Sequence, residues 1–145
     1  MNTIAINSQK AKSNNKVKVH RFEVFKGRTN EMGIVEKTTI VGHSTLYEGS
    51  STYSVYLRTL LKDIFYLLPE ESEERPHDFV ILTREPSMIE GKKYFWNRVG
   101  TGKLLSNENA GLMKLEFDLF DNVELYLNYH NATVKELDSN SNPAA

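Results

Sequence analysis

The stretch Met113–Tyr129, MKLEFDLFDNVELYLNY, carries the clearest structural signal in the chain. Met113, Leu115, Phe117 and Leu119 alternate with other residues, and Val123, Leu125, Leu127 and Tyr129 alternate again beyond Asp121-Asn122. A period of two places successive side chains on opposite faces of a strand, so two such runs around a short Asp/Asn turn predict a β-hairpin. Lys114, Glu116, Asp118 and Glu124 share the other face, which makes one side buried and the other wet.

Working outward from this hairpin, most of the chain reads the same way. Val17–Phe25 (VKVHRFEVF) is rich in β-branched and aromatic residues and suits a strand, closed by the polar loop 26–30. Ile34–Tyr47 is dense in Ile, Val and Thr, with Gly42 marking a bulge or bend. The turn Glu48–Ser51 leads to Tyr53, Val55 and Leu57, which alternate as a third strand. Phe79–Arg84 and Lys93–Val99 are two more, the second closed by Gly100-Thr101-Gly102. One interval differs. Leu57, Leu60, Leu61, Ile64, Phe65 and Leu68 recur at helical spacing and predict a short helix over 59–66 before Pro69, although Phe65–Leu68 also suits a buried strand. The expected fold is therefore mainly β: a single domain of six or seven antiparallel strands, as a sandwich or partly open barrel, with α+β as the alternative.

A chain of 145 residues is long enough for one core, and it holds 39% hydrophobic and 26% charged residues, as an ordinary globular domain does. The ends, 1–16 and 138–145, are polar and read as disordered tails around a domain at 17–137. With no cysteine there is no disulfide, thiolate metal site or cysteine nucleophile. The longest apolar run, Ile64–Leu68, falls far short of the ~20 residues of a membrane-spanning helix. No secretory signal is recognised, so a cytoplasmic protein without membrane contact is expected.

The formal net charge of -1 excludes a globally basic nucleic-acid binder but not a local patch. Seven Lys or Arg (positions 10, 12, 16, 18, 21, 26 and 28) oppose a single acid, Glu23, over residues 1–30, a basic arm suited to a polyanion or to solubility. Lys92, Lys93, Tyr94, Trp96 and Arg98 interleave cations with aromatics. On a strand Lys92, Tyr94, Trp96 and Arg98 share one face, opposite Phe95 and Val99, and could stack bases while neutralising phosphates. The competing reading makes Tyr94 and Trp96 core residues.

Other motifs have plainer explanations. Asp118, Asp121 and Glu124 surround a turn without a calcium-loop pattern. Gly100-Thr101-Gly102-Lys103 lacks the first glycine and the Ser or Thr of a phosphate loop. His20, His43, His77 and His130 form no pair at ligand spacing, and His43 and Ser44 point to opposite faces of a strand. Asn131-Ala132-Thr133 fits a glycosylation sequon by composition alone. No catalytic set, metal site or cofactor is expected. The chain reads as a non-catalytic binding or adaptor domain acting on a protein partner or on itself, with a homodimer among the options. Single-stranded nucleic acid is the alternative, through Lys92, Lys93, Tyr94, Trp96 and Arg98.

Overall fold

The computed structural model describes residues 16–70 and 77–138. Among these described residues nine strands follow one another: β1 (Lys16–Thr29), β2 (Val35–Tyr47), β3 (Tyr53–Leu57), β4 (Phe65–Pro69), β5 (Asp78–Pro86), β6 (Tyr94–Leu104), β7 (Leu112–Phe117), β8 (Glu124–Asn128) and β9 (Thr133–Asp138). Each of the first seven pairs antiparallel with the next, and β1 also pairs with β8, so the meander closes into an eight-stranded barrel. The fold is mainly β as expected, but it is a fully closed barrel rather than a sandwich, with more strands than the sequence pattern separates. β9 is the additional strand, laid along the N-terminal half of β1 from Arg21↔Thr133 to Lys16↔Asp138.

Eight strands enclose a space that side chains can just fill. Phe22, Val24, Val55, Leu57, Phe65, Leu67, Phe79, Ile81, Met113, Leu115, Phe117, Leu125 and Leu127 fill it as one buried cluster. Its aromatic rings meet edge-on, with Phe65 and Phe117 centroids 4.9 Å apart. The hairpin around residue 121 forms as read, with Met113, Leu115, Phe117, Leu125 and Leu127 inside. Asn122 takes a positive φ of 61° in its turn, a conformation that asparagine tolerates. Leu119 lies beyond the paired residues and is exposed.

Three expectations are corrected. There is no helix over 59–66; Phe65–Pro69 is a strand and a turn precedes it. The helical spacing arises because the end of β3, a turn and the start of β4 each contribute apolar residues. A helix there would need to bury Leu61, which is 82% exposed. Of the loops expected at 26–30 and 100–102, residues 26–29 and 100–102 are instead strand, within β1 and β6, and only Asn30 lies in the loop. At Gly100 a Cβ would lie 2.2 Å from the Glu116 carbonyl oxygen, and at Gly42 2.0 Å from that of Tyr56. Gly42 sits at a shift of register with β1, between Val24↔Gly42 and Phe25↔Ile40, as its reading as a bulge expects, whereas Gly100 marks close approach of neighbouring strands and not the end of a strand. The expected tails lie outside the described residues except for Lys16 and Asp138, which are paired with each other at the ends of β1 and β9.

Outside the barrel there is a second, smaller packed region. Phe25 and Tyr126 face away from the main core, yet are buried and stacked with centroids 5.6 Å apart. The Thr29 hydroxyl donates to Glu124 Oε1 at 2.6 Å, and the Tyr126 hydroxyl donates to the same oxygen at 2.7 Å. Asn109, in the single 3-10 turn between β6 and β7, donates to the Gly33 carbonyl and accepts from the Val35 amide. These contacts fasten the β1–β2 hairpin against the barrel.

One group is discordant. Ser44, paired with Phe22 and Val55, is fully buried, and its hydroxyl has no hydrogen-bond partner among the described residues. An unsatisfied buried hydroxyl is destabilising. Ser44→Ala is therefore expected to raise the urea-unfolding free energy by about 1 kcal/mol. Gly100→Ala should lower it by roughly 2 kcal/mol, because the new methyl meets backbone that cannot move aside. Both changes are read from the same denaturation curves.

Candidate functional site

The residues singled out in the aromatic and basic segment are placed by β6. A register shift between Ile81 and Leu82 of β5 lets Ile81 face Gly100 in the interior while Leu82 pairs with Arg98, Arg84 with Trp96, and Pro86 with Tyr94. On the neighbouring strand Tyr66 pairs with Leu82. Alternation then carries Tyr66, Leu82, Arg84, Tyr94, Trp96 and Arg98 to the outer surface. Trp96 is 50% exposed and Tyr94 37% exposed, which excludes the reading of these two as core residues.

The side chains form one assembly. The Arg84 guanidinium lies 4.3 Å from the Tyr94 ring centroid and 5.1 Å from that of Tyr66, and Tyr66 meets Trp96 edge-on at 5.3 Å. Cation–π contact of this kind holds a guanidinium without neutralising it. Arg84 forms no ion pair among the described residues, whereas Arg98 lies 3.8 Å from Glu70. Lys92 departs from its expected place. It precedes β6 and its ammonium sits over Phe95 at 4.4 Å, on the face opposite Trp96. Lys93 is exposed in the same turn.

Tyr66 and Arg84 are the members that the sequence reading missed. The helical spacing over 57–68 concealed that Tyr66 alternates outward between Phe65 and Leu67, and Arg84 enters only through the register across β5. The outer rows continue with Leu68 and Val80, which pair with each other. Tyr66, Leu68, Val80 and Leu82 are half-buried and none packs against the core cluster.

The remaining candidates do not assemble. His43 faces outward, stacked on Tyr56 at 4.9 Å, while Ser44 faces the interior, so they are no base and nucleophile. Glu124 is committed to Thr29 and Tyr126, whose hydroxyls hold its carboxyl below the usual carboxylate range. Among the described residues no three of His, Asp and Glu come together as a metal cluster. Of the basic arm, residues 1–15 are not described, and Lys16, Lys18, Arg21, Lys26 and Arg28 belong to β1. One mouth of the barrel holds an apolar depression of about 420 Å³ that includes Leu46, Tyr53, Phe79, Leu104 and Met113. No helix of the described residues is long and apolar enough to cross a membrane.

Since Trp96 is the single tryptophan, iodide should quench the native fluorescence efficiently. Arg84→Ala should increase that quenching by uncovering Tyr66 and Trp96. A native spectrum protected from iodide would contradict the outward placement. Comparison of the chain with protein-family models, with curated proteins and with solved structures finds no match.

Proposed function

We propose that this protein is a non-catalytic binding module that engages another protein through the outer face of β4, β5 and β6. The observation that carries this reading is the composition of that face. A solvated sheet surface is expected to alternate toward polar residues, yet this one presents Tyr66, Leu68, Val80, Leu82, Tyr94 and Trp96 around Arg84. Contiguous exposed apolar surface on a soluble domain marks an interaction site, and Trp, Tyr and Arg are the residues that dominate binding energy at protein interfaces. The interior, by contrast, is occupied by its own side chains.

A second copy of the chain is the first occupant to test, since closed two-fold assemblies are the commonest. Sedimentation velocity over a micromolar concentration series should show self-association that Leu82→Glu and Trp96→Ala abolish without unfolding the barrel. If the wild type stays monomeric, a photo-crosslinking residue at position 96 should capture one partner from the native host's lysate, and the same residue at position 108 should not. Failure of both, or turnover in a broad hydrolase screen, would overturn the reading.

Single-stranded nucleic acid is the second reading, and the observation in its favour is the uncompensated charge of Arg84 beside the exposed Trp96 ring. It requires oligonucleotide to change Trp96 fluorescence at low salt and the effect to fade at high salt. Unchanged fluorescence at low salt sinks it.

A further inference from the structure

On the opposite side of the barrel from β5, the edge of β1 opens. β8 stops pairing with it at Val24↔Leu127, β9 begins at Arg21↔Thr133, and the connection 129–132 loops out between them. Among the described residues Phe22 and Glu23 have no strand partner on that side. A groove of about 690 Å³ lies here, and its lining includes Arg21, His43, Arg58, Asn128, Asn131 and Thr133.

The charges in this groove are unbalanced. Neither Arg21 nor Arg58 forms an ion pair among the described residues. The one acid in the lining, Glu23, is held by Lys37 Nζ at 2.7 Å, so it does not neutralise them. His43, which lines the same groove, is stacked on Tyr56 at 4.9 Å, and its pKa is lowered by burial, then by Arg21 and by Arg58. All three groups line this one groove. Two planar guanidiniums and a ring nitrogen are suited to a tetrahedral oxyanion. Asn128, Asn131 and Thr133 add neutral hydrogen-bonding groups along the same wall. The volume is that of a small-molecule site and far exceeds one oxyanion.

We propose that the groove formed by Arg21, His43, Arg58 and the β8–β9 connection binds a dianionic phosphate group, free or as the monoester of a small organic molecule. The guanidiniums of Arg21 and Arg58 grip the phosphate oxygens, His43 donates a further hydrogen bond, and the amides and Thr133 face the organic part. This site is independent of the β4–β6 face, so either can fail without the other.

The test uses the full-length protein labelled with ¹⁵N, titrated separately with inorganic phosphate, AMP and adenosine at constant ionic strength. Phosphate and AMP should shift the resonances of Arg21, His43, Arg58 and Asn131, and adenosine should not. AMP acting at tenfold lower concentration than phosphate identifies the monoester as the ligand, and equal potency identifies free phosphate. The groups facing His43 are Arg21 and Glu23 from β1, Tyr56 from β3, Arg58 beyond it, and Lys37 through Glu23. A bound dianion offsets the two arginines, so the imidazole titration midpoint should move upward on saturation. Arg21→Gln and Arg58→Gln should each weaken binding at least tenfold, and Lys37→Gln should weaken it by releasing Glu23 into the groove. Lys103→Gln, outside the groove, should leave it unchanged. The proposal is overturned if millimolar phosphate and AMP shift none of these resonances, if adenosine binds as well as AMP, or if the arginine variants bind like the wild type.

Discussion

The pairing of β1 with β8 across Val24–Gly27 and Leu127–Glu124 is the constraint on which the rest depends. Without it the meander from β2 to β8 is an open sheet, joined to β1 only through β2 and with a bare backbone edge along β8. Closure abolishes those edges and turns one apolar face into an enclosed core. β1 also carries β9 along its first half, so a single strand joins three others and determines which backbone groups stay accessible. The break between β8 and β9 follows directly, because two strands share one edge and cannot meet without an irregular connection.

The same closure divides the outer surface. On the β4–β6 side the outward positions are apolar and aromatic, with an arginine held by rings rather than by carboxylates. On the β1–β3 side they are polar and cationic, with His43 and Tyr56 stacked and Glu23 occupied by Lys37. An eight-stranded barrel whose interior is packed has only its outside and its mouths for recognition. The two proposed binding surfaces are chemically distinct and lie on different strands, so occupants of the two would not compete for the same residues.

Strand identity was legible in the sequence where apolar residues alternate with polar ones, as in Met113–Phe117. It was not legible where both faces carry apolar residues. β4 has Phe65 and Leu67 inside and Tyr66 and Leu68 outside, so period two vanishes and the surrounding leucines imitate a helix. The glycines of β6 misled for another reason. Gly100 and Gly102 serve close packing of neighbouring strands and the Leu67 and Met113 side chains, and a glycine chosen for space looks the same in sequence as one chosen for a turn. β9 escaped notice because residues 133–136 are exposed and its pairing depends on a partner more than 100 positions away. For the site, Tyr94, Trp96 and Arg98 were recognised as sharing a face from alternation alone. Their neighbours Tyr66 and Arg84 are set by cross-strand register, which a single sequence does not specify.

The long reach of β1 also has a kinetic side. Seven consecutive hairpin-like pairings can form between neighbours in the chain, but the closing ladder joins Val24 to Leu127 and cannot begin until both ends of the sheet are in place. Loop closure over that distance is entropically costly before any contact rewards it, and folds rich in such pairings cross their barrier slowly. Until then the unpaired edges of β1 and β8 and the apolar inner face stand open to water and to other chains. The slow event in the life of this protein is therefore the final joining of its first strand to its eighth.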